Sequence, residues 1–367
     1  MTLTRYRWLL IWLFLGGFLF NNMPRRRERL NGQIVERWDI WPAILMVVPY
    51  IIWAGFRPDT IGDTSLYRRT FLKASTDLSQ IFVAYQGDTK DPGFSVLVVI
   101  LKNLLGNHDK LFFLTIAAFQ MLSIAFVFRK YTHDYWACIF LFIISTDYLS
   151  WMHNGIRQFI AVCIVFCGFG FLVRKKYIPM ILLILLASQL HGSAILMLPI
   201  IFIVQGKAWN IKTMVLLAVT IVAVVFIDRF TPVLNDMLQD TQYDDIMTNE
   251  IWMADDGTNI LRVAVYSIPA LLSLVGLPYV RAANNQMINV CVNCSIMTMA
   301  LYIVSAVTSG IYIGRLPIYT TFPGYIALPW LIDHIFEEKS AKLMRVAMYM
   351  AYIAFFYYQT GILWGAF

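Results

Sequence analysis

The 367-residue chain is 59% hydrophobic and 14% charged, with 29 basic residues against 22 acidic and a formal net charge of +7. Soluble domains hold about 45–50% apolar and about 25% charged residues, so this chain has too little polar material to coat a water-soluble fold and more apolar material than its core would take. Soluble enzymes, coiled coils and disordered chains are thereby excluded, in line with a mean hydropathy of +0.65.

The apolar residues fall in blocks separated by short charged runs, and several blocks approach the ~20 residues of a transmembrane helix. They are continuously apolar, whereas a barrel strand alternates between lipid and lumen, so the fold class is all-α and polytopic. The first block, 6–22, carries Arg5 and Arg7 before its apolar run, as a signal peptide would. It lacks a small-residue cleavage site and ends in Arg25-Arg26-Arg27-Glu28-Arg29, so it is expected to be a retained first span. A second block covers 39–56.

Residues 57–110 read as an extracytoplasmic loop carrying amphipathic or re-entrant helices. Within it, Gly62-Asp63-Thr64-Ser65-Leu66-Tyr67-Arg68-Arg69-Thr70-Phe71 predicts a helix capped by Asp63, with Leu66, Tyr67 and Phe71 packed toward the membrane. The apolar run 94–105 is too short to span and contains Lys102. It is expected as a re-entrant or interfacial helix, with Asp91 as its cap and Pro92 in the first helical position, where a missing N–H costs nothing.

Further blocks follow at 111–128, 135–151 and 157–173. The block 177–205 is too long for one span, and its midpoint reads Ser188-Gln189-Leu190-His191-Gly192-Ser193. A polar break at membrane depth belongs where it faces protein or a water-filled cavity, so two half-length helices are expected to meet at His191. The last blocks are 213–228, 260–279, 286–307, 316–332 and 343–360. Between the first two of these lies an acidic extracytoplasmic loop, 229–259, with Asp236, Asp240, Asp244, Asp245, Glu250, Asp255 and Asp256 against Arg229.

With 94–105 non-spanning and 177–205 split, the basic loops all fall on the cytoplasmic side. These hold Arg25 to Arg37, Arg129-Lys130, Arg174-Lys175-Lys176, Lys207 with Lys212, Arg281, and Lys339 with Lys342 and Arg345. The expectation is about twelve spans with both termini outside, forming a single polytopic membrane domain over 1–367. Cys138, Cys163, Cys167, Cys291 and Cys294 all lie in apolar blocks. The Cys291-x-x-Cys294 pair has no second Cys or His pair nearby and reads as buried small residues, not a metal site. The positive charge is attributed to contact with anionic membrane lipids, not nucleic acid.

In this topology the remaining polar residues gather on the extracytoplasmic side: Arg57, Asp63, Asp147, His153, Asn154, Arg157, Gln158, Gln189, His191, Arg262 and Arg315. An ionisable group at membrane depth costs about 2.5–3.5 kcal/mol on insertion scales and by default faces an interior. Arg157 opens a span after an Asn-Gly turn, where its guanidinium fork can take phosphate or carboxylate bidentately. His191, at the helix break, is a candidate general base. Arg262 and Arg315 add cations at the starts of other spans, and together with Arg157 they suit a multiply charged phosphate group. Phosphate-loop, dinucleotide, metalloprotease and Ser-x-x-Lys motifs are absent, which argues against a nucleotide-driven pump and a cytoplasmic nucleotide-sugar transferase.

In chain order the distinctive residues are Arg57, Gly62-Asp63-x-x-x-Tyr67-x-x-x-Phe71, Asp91-Pro92-Gly93-Phe94, Gly155-Ile156-Arg157-Gln158-x-x-Ala161, His191-x-Ser193-Ala194 and Arg315-x-x-x-Tyr319. This arrangement resembles the EpsG family of Wzy-type bacterial polysaccharide polymerases, over roughly residues 1 to 360. Asp91 stands where that family often has Glu. The resemblance implies a GT-C-like helical fold in the bacterial inner membrane and an active site on the extracytoplasmic side. It implies an enzyme, a membrane glycosyltransferase, that joins polyprenyl-pyrophosphate-linked oligosaccharide repeat units into surface polysaccharide, with no cofactor or metal. A chain-length-regulating protein is an expected partner. His191, Arg157 and Arg315 would be catalytic, with His191 as base, or Asp91 or Asp147 in its place. Arg57, Asp63, Tyr67, Asp91, Asp147, Gln158, Arg262 and Tyr319 would bind substrate. The competing readings are an O-antigen-ligase-like transferase or acyltransferase, and a flippase or transporter of lipid-linked sugars. The absence of internal repeats and the gathering of polar residues near one face favour the enzyme.

Overall fold

The computed structural model describes residues 6–30, 33–87, 90–226 and 257–365. It is 79% helical, and the departure from all-α among the described residues is a two-stranded antiparallel ribbon, β1 (Arg26–Leu30) and β2 (Gln33–Arg37). Sequence reading left this segment as a charged loop. The acidic stretch at 229–259 falls, up to Asp256, outside the described residues.

Among the described residues, three helices are long and apolar enough to cross a membrane: Asp109–Tyr131, Gln286–Ala306 and Glu338–Leu363. Two bent pairs raise the number to five if each pair is one span. They are Tyr135–Ile144 with Asp147–His153, bent by 67°, and Ile260–Val275 with Leu277–Ala283, bent by 73°. The other expected spans fall on helices that do not combine that length with that apolarity.

The chain forms two compact units, Met1–Ile195 with Val346–Phe367, and Leu196–Arg345. The first unit contains α1 (Tyr6–Asn21), α2 (Ile40–Gly55), α3 (Thr64–Lys73), α4 (Ile81–Gly87), α5 (Pro92–Leu105), α6 (Asp109–Tyr131), α7 (Tyr135–Ile144), α8 (Asp147–His153), α9 (Ile156–Cys167), α10 (Phe169–Val173) and α11 (Tyr177–Leu190). The helices of the 57–110 segment share one core with the long ones: Tyr67 and Phe71 of α3 and Phe94 and Val98 of α5 pack with Phe112, Phe113 and Ile116 of α6 and Ile156 and Ile160 of α9. Phe71 stacks on Phe112 at 4.4 Å between ring centroids. Leu66, expected on the same face, is outward and 59% exposed, because helical spacing puts Tyr67 and Phe71, four apart, on one stripe and leaves Leu66 off it.

The helix break expected at His191 is present: α11 stops at Leu190, His191 turns extended at φ −159°, and a 3-10 turn (Gly192–Leu196) leads on. The short helix expected near 94–105 is α5, with Pro92 at its start. Its buried Lys102 is satisfied by the Leu72 carbonyl at 3.0 Å and Asn107 Oδ1 at 2.6 Å, with Nζ 4.9 Å over the Phe71 ring. The caps are the correction. Neither Asp63 nor Asp91 makes a side-chain capping hydrogen bond to the helix it precedes, and Asp91 spends its carboxylate elsewhere.

The ribbon is tied to α6 through Glu28, which accepts hydrogen bonds from Arg37 at 2.9 Å and Arg129 at 3.0 Å. The two guanidiniums, Arg129 foremost, hold the Glu28 carboxyl below the usual carboxylate range. A depressed folded-state value means that this tie is complete above the ordinary value of about 4.3 and is lost as pH falls through the depressed one. Amide exchange of Arg26–Arg37, corrected for intrinsic rates, is therefore expected to lose protection only in that acid window. In Glu28→Gln the same protection is already reduced at neutral pH.

The second unit contains α12 (Met197–Ile203), α13 (Ile211–Val225), α14 (Ile260–Val275), α15 (Leu277–Ala283), α16 (Gln286–Ala306) and α17 (Ile318–Ile335). Polar residues of the apolar α16 hold the connection after α12. Asn289 accepts from the Ala208 N–H at 3.0 Å, and Asn293 donates to the Val204 carbonyl at 3.0 Å. Thr298 bonds Thr320 of α17 at 2.8 Å. Cys291 and Cys294 are buried in α16.

Candidate active site

The first unit draws residues from four separate stretches into one cluster. Asp91, 4% exposed, lies between α9 and the helix break. Its Oδ2 pairs with Arg157 Nη1 at 2.7 Å, and its Oδ1 accepts the Gly192 N–H at 3.2 Å. Arg157, in the first turn of α9, follows Gly155, whose left-handed φ of +80° sets the turn. About a third of its side chain (34%) is exposed, and its guanidinium sits 5.9 Å over the Phe94 ring.

The Tyr67 phenol receives hydrogen bonds from the Arg157 side chain and backbone. Burial raises its pKa, against the pull of the Arg157 charge, while the Asp63 charge adds to the rise, so the phenol keeps its proton at neutral pH. Beyond the carboxylate, His191 Nδ1 accepts the Ser193 N–H at 3.3 Å and lies 3.0 Å from Ser193 Oγ. Gln158, 3% exposed, donates to that same Oγ at 3.4 Å. With Nδ1 taken up as an acceptor, the proton of the neutral imidazole is carried on Nε2.

Two glycines permit this assembly. A Cβ on Gly93 would lie 2.8 Å from the Gln189 carbonyl oxygen and Cβ, so the start of α5 can close on the end of α11 only without a side chain. Gly62, at φ +52°, meets the His153 carbonyl oxygen, which a Cβ would approach to 2.5 Å. Sequence reasoning misses what Gly93, Ser193 and the Gly192 N–H contribute. Their role is invisible until the backbones meet, although glycine inside a polar motif is the signal for such an approach.

Other expected site residues lie elsewhere. Arg57, 4% exposed, donates to the Met152 carbonyl and stands 4.4 Å over the Phe113 ring. Asp147 is fully buried and accepts the Trp151 indole N–H at 3.1 Å within α8. His153 is buried with its ring 4.9 Å from Trp53. Asn154 is exposed, and the exposed Gln189 accepts from the Tyr85 hydroxyl at 3.2 Å.

Arg262, Arg315 and Tyr319 belong to the second unit. Thr258, just before α14, bonds Ser305 at 2.8 Å and touches the Gly314 position, which puts Arg262 and Arg315 at the same end of that unit. Arg262 lies 5.4 Å over the Tyr266 ring. Tyr319 is buried in the first turn of α17.

Among the described residues no group of three His, Cys, Asp or Glu side chains is placed to hold a metal ion. What the cluster does offer is an oriented carboxylate, a partly exposed guanidinium, an imidazole held in one tautomer and a protonated phenol. That set suits proton transfer beside a phosphate-type anion.

No curated protein and no solved structure matches the chain. The sequence model of the EpsG family matches residues 40–361, a range that contains the cluster and Arg57, Arg262 and Arg315. The pattern read from the sequence and this match agree, and the chain belongs to the EpsG family of polysaccharide polymerase-like membrane proteins.

Proposed function

We propose that the protein polymerises polyprenyl-pyrophosphate-linked oligosaccharide repeat units at the outer face of the bacterial inner membrane. The observation that carries this reading is the Asp91 carboxylate held between Arg157 and the Gly192 N–H beside His191. A hydroxyl of the incoming unit attacks the anomeric carbon of the growing chain. The new glycosidic C–O bond forms as the bond to the pyrophosphate breaks, and the hydroxyl proton passes to Asp91. The polyprenyl pyrophosphate leaves with its charge met by Arg157 and by the N–H of His191.

Pyrophosphate oxygens compete with Asp91 for the Arg157 fork, so donor binding itself releases the carboxylate to act as base. This assigns His191 to donation, since its acceptor nitrogen is engaged by Ser193. Gln158 positions that pair, and Asp63 and Tyr67 bind sugar or phosphate oxygens. Arg262, Arg315 and Tyr319 remain candidates for a second phosphate contact. Around this chemistry we place about twelve spans in a GT-C-like arrangement, with the shorter apolar helices completing the count, and a chain-length-regulating protein as partner.

The test is glycan elongation in vesicles holding the purified protein and the lipid-linked repeat unit of its host. Wild type is expected to give a ladder on a gel. Asp91→Asn should slow elongation by about 10²- to 10⁴-fold, the usual worth of a general base, and Asp91→Glu should retain measurable activity. A wild-type protein that leaves the substrate at one repeat unit would end the polymerase reading.

A further inference from the structure

The turn that presents Arg157 is gripped at both its ends by buried polar side chains to which the reaction above gives no task. Only Asn154, extended at φ −129°, and Gly155 separate the end of α8 from α9, in whose first turn Arg157 lies. With so short a connection, the direction of that first turn follows from where the last residues of α8 stand. A helix end leaves its final carbonyls without intrahelical partners. Arg57 donates from its guanidinium to one of them, the Met152 carbonyl, and is 4% exposed. Gly62, with no Cβ, closes on the next, the His153 carbonyl. One residue past the turn, the fully buried Gln120 of α6 donates to the Ile156 carbonyl at 3.3 Å.

A buried cation is costly in a membrane protein, and a methionine of similar length would fill the same space without that cost. What arginine adds is the bond to the Met152 carbonyl and a cation–π contact, 4.4 Å over the Phe113 ring, in the core that also holds Ile156. Both additions bear on the turn between α8 and α9. We infer that Arg57 is a positioning residue for Arg157. It holds the Met152 carbonyl while Gln120 holds the Ile156 carbonyl, and the turn between them keeps the Arg157 guanidinium on the Asp91 carboxylate, 2.7 Å away. This rests on the reaction proposed above, in which Arg157 meets the leaving pyrophosphate, and it gives Arg57 a task other than substrate contact. A guanidinium displaced by about 1 Å is enough to cost about 10²-fold in rate, so a residue that touches no substrate can still govern the chemistry.

The experiment compares Arg57→Met and Arg57→Lys in the full-length protein in vesicles, with elongation measured against the concentration of the host's lipid-linked repeat unit and unfolding followed thermally. Arg57→Met removes a buried charge and should unfold at or above the wild-type temperature, yet lose about 10²-fold in kcat with KM unchanged. Arg57→Lys keeps a donor for the Met152 carbonyl and should restore most of the rate. Stability and rate falling together in Arg57→Met, with no rescue by Arg57→Lys, would mark a merely structural residue, and a raised KM would mark a substrate ligand. Either result overturns the inference. A second readout follows the turn itself, through a spin label on the exposed position 154, introduced as Asn154→Cys with the exposed Cys167 replaced by alanine. The label is expected to be immobile with Arg57 in place and to gain mobility in both Arg57→Met and Gln120→Met, and spectra indifferent to both substitutions would also overturn the inference. The two readings fail separately. A wild-type protein without a glycan ladder removes the polymerase while the label still tests the grip on the turn, whereas a wild-type ladder from Arg57→Met removes the positioning role and keeps the polymerase.

Discussion

Arg157→Ala should stop chain elongation and destabilise the first unit, and the two effects should be separable. Arg157 is the partly exposed cation of the cluster and the partner of a nearly buried carboxylate. Its removal deletes the group that meets the leaving pyrophosphate, a loss of the kind that costs about 10²–10³ in rate when a single preorganised donor is removed. It also takes the paired cation from the buried Asp91, whose carboxylate accepts the Gly192 N–H. Stranding one member of a buried pair costs about 3–5 kcal/mol, an upper bound here because Arg157 itself reaches solvent.

The double variant Arg157→Ala/Asp91→Asn removes the stranded charge, so its unfolding midpoint should return toward wild type while elongation stays lost. Arg157→Lys keeps a point charge without the fork and should fall between the extremes. Ladder formation and thermal unfolding, read on the same vesicle preparations, check all three variants. An Arg157→Ala protein that elongates at the wild-type rate would remove Arg157 from the chemistry.

The sequence made the local breaks legible, because each has a local cause. Pro92 after Asp91 starts α5, Gly155 turns the chain into α9, and the polar run around His191 ends α11. It also placed Asp91, Arg157, Gln158 and His191 in one motif set. What it missed depends on contacts distant in the chain. Asp91 looks like a helix cap by sequence, and only the approach of α9 and the Gly192 turn redirects its carboxylate. Arg315 and Arg262, cations opening spans as Arg157 does, belong to the second compact unit. The ribbon Arg26–Arg37 is too charged for strand propensity to signal it, and its pairing is supported by Glu28 reaching Arg129 of α6. Helices occupy the described parts of the apolar blocks, but among them three to five are long and apolar enough to cross a membrane, since bends such as that at Thr146, with φ +73°, cut one block into two helices.

The largest effect expected away from any charged residue is at Gly93. A methyl group there would meet the Gln189 backbone carbonyl and Cβ at 2.8 Å. Backbone cannot swing aside as a side chain does, so the first turn of α5 must move away from α11. Overpacking of this kind costs about 1–3 kcal/mol. The displacement falls on Asp91, two residues upstream, whose bonds to Arg157 at 2.7 Å and the Gly192 N–H at 3.2 Å hold the cluster together. A misplacement near 1 Å is enough to cost about 10²-fold in rate.

Gly93→Ala should therefore lower the unfolding midpoint modestly and elongation steeply. Gly87→Ala, at a helix end with nothing within 4 Å of the added methyl, should change neither. The comparison separates steric closure of α5 on α11 from a general intolerance of alanine in this segment. If Gly93→Ala elongates as wild type does, the close approach of the two helices is not what positions Asp91, and its polar contacts, Arg157 and the Gly192 N–H among them, suffice.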